Sequence, residues 1–215
     1  MKLAISRLHY PVTALGPGRR VGIWLQGCSI NCPGCASRDT WQRTEQSLVE
    51  VDRVLQWCAD LQEPIDGVTI SGGEPFEQAD ALLALLQGLE RWRRSRASAL
   101  DILCYSGLPW RRIQRDHAPV LALLDAIVPE PFVEGLPTDA RWRGSANQPL
   151  IALSELGALR FGGEEDADKA QARMQITVED GKIWFIGVPR RGDLDRMLEA
   201  AAARGIVTGG ASWRS

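Results

Sequence analysis

Apolar and polar positions alternate along this chain in two rhythms, and the rhythm switches several times. Between residues 48 and 62 the apolar side chains are Leu48, Val51, Val54, Leu55, Cys58 and Leu61. Spacings of three and four put them on one stripe of an amphipathic helix. Gly67-Val68-Thr69-Ile70 is short and β-branched, which predicts a buried strand, and Gly72-Gly73-Glu74-Pro75 ends it. The clearest helix covers residues 77–97, where Leu82, Leu85, Leu86, Leu89 and Trp92 form one stripe. A second strand follows over 99–105 and stops at Ser106-Gly107, then a helix around 109–124 and a strand at Ala126-Ile127-Val128. Cys58 and Cys104 fall on buried faces of these elements and read as core. Upstream, a mixed segment leads through the turn Leu15-Gly16-Pro17-Gly18-Arg19-Arg20 to the apolar run Val21-Gly22-Ile23-Trp24-Leu25. The two arginines of that turn read as solvent-facing, not as partners of a phosphate or carboxylate.

Strands alternating with helices across short Gly/Pro loops mean a parallel sheet with helices outside. There are too few units for an eight-stranded closure. The predicted fold is therefore α/β, a partial parallel barrel or open sheet. From Leu156 the character changes. Residues 157–169 read as a polar linker. The apolar stretches at 175–179 and 183–188 then flank Asp180-Gly181, a hairpin signal. Leu194, Met197, Leu198 and Ala201 predict a last helix over 194–203. These patterns divide the chain into a core domain, 1–155, and a β-hairpin-plus-helix appendage, 156–215. Ile176, Val178, Ile183, Phe185 and Leu198 are too apolar to hang free, so the appendage is expected to dock on the core.

Composition changes this picture little. The chain has 215 residues, 45% of them hydrophobic and 24% charged, which is ordinary for a globular protein able to bury a large core. A formal net charge of −2 gives no global reason to expect nucleic acid. The runs Arg91-Trp92-Arg93-Arg94 and Arg190-Arg191 read as solvated surface. The first residues lack the apolar stretch of a signal peptide, and no run of about eighteen apolar residues can span a membrane.

Cysteine changes it a great deal. Cys28-Ser29-Ile30-Asn31-Cys32-Pro33-Gly34-Cys35 carries three thiols spaced C-x3-C-x2-C, just after the Val21 to Leu25 run. Thiolates are soft ligands, and one compact loop can aim all three at a single cluster. A [4Fe-4S] cluster held by three cysteines keeps one iron open to a ligand. Zinc is the structural alternative, but a closed zinc site wants four ligands, and Cys58, Cys104, His9 and His117 lack ligand spacing. A disulfide framework fits neither the odd count of five cysteines nor the chain length. Grouped free thiols also fit a reducing cytoplasm. Gly72-Gly73-Glu74-Pro75 ends a strand, where parallel sheets place their ligands. Its glycines expose main-chain groups and its carboxylate suits a protonated amine. A ligand that chelates the open iron through amino and carboxylate groups, with its amine at this loop, is a small α-amino acid derivative.

The ordered motifs Gly16-Pro17-Gly18, Cys28 to Cys35 and Ser71-Gly72-Gly73-Glu74-Pro75 resemble the radical S-adenosylmethionine superfamily. Within it the chain is similar to the glycyl-radical-enzyme activases of the anaerobic ribonucleotide-reductase type. The resemblance runs from about residue 8 to residue 150. It extends to Tyr105-Ser106-Gly107, Phe132-Val133-Glu134-Gly135-Leu136 and Trp142-Arg143-Gly144-Ser145-Ala146-Asn147-Gln148. It implies that Cys28, Cys32 and Cys35 hold a [4Fe-4S] cluster. Ser71, Gly72, Gly73, Glu74 and Tyr105 would bind S-adenosylmethionine. The implied reaction is reductive cleavage of that cofactor to a 5′-deoxyadenosyl radical, which takes a hydrogen from a glycine of a partner enzyme. A flavodoxin- or ferredoxin-like protein would supply the electron. Ala36 stands where the family usually has an aromatic, Pro129-Glu130-Pro131 replaces an Asp-Gly pair, and the tail beyond residue 155 is extra. That tail motivates a second reading, radical chemistry on a small molecule or peptide. A zinc-stabilised interaction module is the non-enzymatic alternative.

Overall fold

The first strand, β1 (Lys2–Val12), is the longest among the described residues, and the sequence pattern did not reveal it. Its pairing with β2 (Arg20–Leu25) shifts register between Ile5 and Arg7 and again between His9 and Val12. Each shift breaks the two-residue alternation that marks a strand. The computed structural model describes residues 1–163, 173–179, 181–207 and 209–211. β2 is buried along its whole length, because it is paired on both sides and covered on both faces. It runs parallel to β4 (Gly67–Gly72), which runs parallel to β5 (Asp101–Tyr105), and β5 runs parallel to β6 (Ala126–Val128). The short strands β3 (Leu48–Glu50) and β7 (Ile151–Ala152) pair antiparallel at the edges. The strand order is β3-β1-β2-β4-β5-β6-β7, so the molecule is mixed α/β with a parallel centre, and this sheet does not close on itself.

Two long helices cover one face. α1 (Val51–Asp60) and α2 (Ala79–Arg94) lay Val54, Cys58, Leu82, Leu85, Leu86 and Leu89 against Leu3, Ile23, Val68, Ile70 and Ile102. Cys58 and Cys104 are fully buried, as their place in the pattern predicts. Several boundaries depart from the sequence reading, among them α2, which is shorter than the expected 77–97. The helix expected from residue 48 starts at Val51, because Leu48 to Glu50 pair with the first residues of β1. The helix expected over 109–124 is two, α3 (Trp110–Asp116) and α4 (Ala118–Leu121). Pro119 has no N–H to donate and its ring collides with the carbonyl four residues back, which breaks the run. A helix runs into the expected linker: Ser154 accepts a hydrogen bond from the Gly157 amide at 3.0 Å and starts α5 (Glu155–Phe161). Phe161 packs edge-on against Trp142 with ring centroids 5.6 Å apart. The rest of that linker, 164–169, lies outside the described residues.

The hairpin and last helix form where predicted, as β8 (Met174–Glu179), β9 (Lys182–Gly187) and α6 (Asp193–Ala202), while Asp180 lies outside the described residues. The hairpin sits on the second face of the sheet. Gln175 accepts from the Thr13 amide at 2.8 Å and donates to the Pro11 carbonyl at 2.7 Å, and Ile186 packs with Val12, Leu15 and Trp24. Docking is thus carried by Gln175, Trp184 and Ile186. Ile176 and Val178, expected to be buried, are 54% and 73% exposed, because alternation along the strand turns them the other way.

Arg20 overturns the solvent-facing reading of its turn. Its side chain is fully buried, 2.6 Å from Asp101 Oδ1, and also donates to Thr69 Oγ1 at 2.6 Å and Val68 O at 2.9 Å. Gly16 takes φ +126° beneath it, where a Cβ would lie 2.6 to 2.9 Å from the guanidinium end. Arg19 behaves as expected and stays outside, 3.3 Å from Glu63.

Candidate active site

The cysteine loop leaves the carboxyl end of β2, the end where parallel sheets gather ligands. It doubles back through three left-handed positions, Gly27 at φ +107°, Asn31 at 51° and Gly34 at +76°. Main-chain bonds from Gly27 to Thr40 O and from Cys28 to Trp41 O pin its base. Cys28, Cys32 and Cys35 are all free and half-buried. Burial pushes the Cys28 and Cys32 thiols up, while the amides of Ile30 and Asn31 at Cys28, and of Phe132 at Cys32, work the other way. The Ser37 amide donates to Cys35 Sγ at 3.4 Å. Cys28 and Cys32 therefore each have main-chain donors that favour the thiolate a metal needs. Among the described residues no three Cys, His, Asp or Glu side chains converge on a point that could hold one ion. A cubane makes no such demand, since each thiolate takes a different iron, and this donor set fits it.

The second loop follows β4. Gly73 N donates to Leu25 O and Glu74 N to Gly27 O, both at 2.8 Å. A Cβ at Gly72 would lie 2.5 Å from the Leu25 main chain, and one at Gly73 would run into the Gly27 carbonyl. The glycines are thus required by the seat of this loop against the residue before Cys28, a role the sequence reading did not assign them. Glu74 also differs from its expected part. Its carboxylate is 1% exposed and accepts from Phe76 N at 3.0 Å, Ser106 Oγ at 2.8 Å and Gly107 N at 2.7 Å. Burial pushes its pKa up to about 7. It braces the loop after β4 to the loop after β5.

Ser71 and Tyr105 stand on one rung of the sheet. Trp24 pairs with Arg7 on one side and Ser71 on the other, and Tyr105 directly follows Cys104, the partner of Ile70. With Cys35, Ala36 and Trp184 they line a cavity of about 870 Å³ between the sheet and the tail. Cys28 borders a smaller space of about 200 Å³ with Gly27, Trp41 and Glu77. The string ending in Asn147-Gln148 has a local purpose. Asn147 Nδ2 donates to Pro131 O at 2.8 Å and Gln148 Nε2 to Glu130 O at 2.9 Å. Gln148 Oε1 in turn accepts from the Gly144 and Ser145 amides, both at 3.1 Å. These bonds hold a turn in which Glu130 takes φ 82°, and that turn presents the Phe132 amide to Cys32. Sequence reasoning missed Arg7 and His9, which reach the same cavity from the unrecognised β1.

Residues 14–151 match the family model of the 4Fe-4S single cluster domain. The chain belongs to this family. It is 31% identical over 136 residues to the anaerobic ribonucleoside-triphosphate reductase-activating protein of Enterobacteria phage T4, covering 63% of this chain and 85% of the relative. The protein of that name from Escherichia coli K12 is 29% identical over 152 residues, 67% of this chain and 96% of the relative. A pyruvate formate-lyase-activating enzyme of Listeria monocytogenes is 39% identical over 75 residues, 33% of this chain and 30% of its own. This member of the 4Fe-4S family is an enzyme of the radical S-adenosylmethionine type, with a [4Fe-4S] cluster and S-adenosylmethionine as cofactors. No helix among the described residues is long and apolar enough to cross a membrane.

Proposed function

We propose that this chain is a glycyl-radical-enzyme activase, with Cys28, Cys32 and Cys35 each on one iron and the fourth iron left to S-adenosylmethionine. The observation that carries the reading is the meeting of Cys35, Ser71 and Tyr105 in one cavity at the carboxyl ends of β2, β4 and β5. When bound, the reduced cluster and its cofactor supply a carbon-centred radical able to take hydrogen from a glycine. The chain's own residues do the rest. The amides of Ile30, Asn31 and Phe132 favour thiolate at Cys28 and Cys32, and the Ser37 amide donates to Cys35 Sγ. Ser71 and Tyr105 orient the cofactor, the Gly72-Gly73 main chain carries its amino end, and Glu74 fixes that loop from behind. Trp24 and Trp184 keep water out. The open sheet acts as a partial barrel whose mouth is this cluster end. Residues 1–155 form the radical domain and 156–215 the appendage.

The target is a glycine of an anaerobic ribonucleoside-triphosphate reductase-type enzyme, in the cytoplasm, with a flavodoxin- or ferredoxin-like donor. The names and coverage of the relatives support this. The test mixes reconstituted protein, dithionite and S-adenosylmethionine with a candidate reductase. A glycyl EPR signal that needs both proteins is expected, and its absence with 5′-deoxyadenosine still formed would point to another target. One observation favours a second reading, radical chemistry on a small molecule or peptide. The hairpin walls the cavity on the side away from the sheet, which narrows access for a large partner.

A further inference from the structure

Arg7 and His9 stand two residues apart on β1 and both line the large cavity. The Arg7 guanidinium lies 5.8 Å from the centroid of the Trp24 ring and 5.4 Å from that of Trp184, and its Nη2 donates to Asp39 at 2.9 Å. Its Nε is buried without a hydrogen-bond partner among the described residues, and so is His9 Nε2. The other ring nitrogen, Nδ1, is 3.7 Å from the Glu179 carboxylate, which favours the ring proton on that side. Burial lowers the His9 pKa, and Glu179 opposes this more weakly, so the imidazole is neutral. His9 Nε2 thus offers a lone pair and Arg7 Nε a proton. Leaving such groups buried and unpaired costs about 1–3 kcal/mol each, unless a ligand completes them. Asp39 already balances the Arg7 charge, so the pair asks for no anion. It asks for one acceptor and one donor. Residues i and i+2 of a strand are roughly 7 Å apart, which is also the repeat of an extended chain lying alongside.

We propose that Arg7 and His9 hold the main chain of an extended peptide target, Arg7 Nε–H donating to a carbonyl and His9 Nε2 accepting from an amide N–H. This rests on the activase reading and deepens it, because it says how a glycine segment is presented in the cavity. Arg7, His9, Glu179 and Trp184 all lie outside the segment matched by the family model, 14–151. The tail contributes two of the four and so helps to build the grip. A glycine suits it because no side chain stands between its main chain and the wall.

The test uses the full-length, cluster-loaded protein labelled with ¹⁵N-histidine. There are only two histidines, and His117 packs against Phe76 on the helix-covered face as an internal reference. The probes are N-acetyl-Ala-Gly-Ala-methylamide and the same peptide with sarcosine in place of glycine, which removes the central N–H. The His9 Nε2 resonance should move toward the protonated-imidazole value with the glycine peptide and stay put with the sarcosine peptide. Arg7→Lys keeps a cation beside Asp39 but loses Nε–H, and His9→Phe keeps a ring but loses the lone pair. Each should weaken the glycine peptide by about tenfold. An unmoved His9 nitrogen, equal movement with both peptides, or unchanged affinity in both variants overturns the proposal. If His9 responds but no reductase ever gains a glycyl radical, the activase reading fails while the peptide grip stands.

Discussion

The two ends of the central sheet are built on opposite plans. At the end where β2, β4 and β5 begin, Arg20 and Asp101 are fully buried and held by each other, Thr69 and Val68. At the end where the same strands finish, three thiols stay half-buried and the main chain takes left-handed turns at Gly27, Asn31, Gly34 and Gly72. One end spends its polar groups on itself. The other, on the proposed reading, leaves its three thiols to a group that is not protein. The lesson is that stability and chemistry are separated along the same strands, so a substitution can strike one without the other.

The largest effect should come from the cysteine loop. On the proposed ligand set, alanine at Cys28, Cys32 or Cys35 removes an iron ligand, and 5′-deoxyadenosine formation should vanish. Cys58→Ala and Cys104→Ala should keep it and lose only about 1 kcal/mol in an anaerobic urea titration. Loss of the cluster in Cys58→Ala would break the ligand assignment.

Gly73→Val comes next and joins the two motifs. Its new side chain would strike the Gly27 carbonyl, next to Cys28, so the variant should lose iron as well as cofactor binding. Normal iron content with only cofactor binding lost would show that the glycine serves the ligand and not the seat of the loop.

At the opposite end, Arg20→Ala leaves the Asp101 charge buried and unpaired. It should cost about 3–5 kcal/mol in unfolding, with iron per folded chain unchanged. Iron lost in step with stability would erase the division between the two ends.

Glu74 sharpens the comparison through pH. Folding raises its pKa from 4.5 to about 7, so between those values the folded chain holds a proton that the unfolded chain has released. Stability attributable to Glu74 should therefore fall as pH rises through that window, by roughly 3 kcal/mol in all. Melting temperatures of the wild type and Glu74→Gln across pH 5 to 8 measure it, and a variant with an undiminished slope would exclude Glu74 as the cause.

How much of this was legible in the sequence follows from which interactions are local. The parallel centre, α2 and the tail hairpin showed themselves because helical stripes, β-branched runs and a turn signal are short-range patterns. The spacing from Cys28 to Cys35 was legible for the same reason. β1 was hidden by its two register shifts, and Arg20 by a partner 81 residues away, Asp101. Glu74 could be placed at the site but not given its role, since all that distinguishes a ligand-facing carboxylate from a brace is where Ser106 and Gly107 fold. Arg7 and His9 were lost with the strand that carries them.

The central claim is that the open end of the sheet holds a three-cysteine cluster whose fourth iron takes S-adenosylmethionine. EPR of the anaerobically reconstituted, dithionite-reduced protein tests it most directly, recorded with and without S-adenosylmethionine. The account predicts a [4Fe-4S] signal that changes shape when the cofactor is added and is missing from Cys32→Ala. A protein that binds zinc in place of iron, or a cluster signal indifferent to the cofactor, would contradict it.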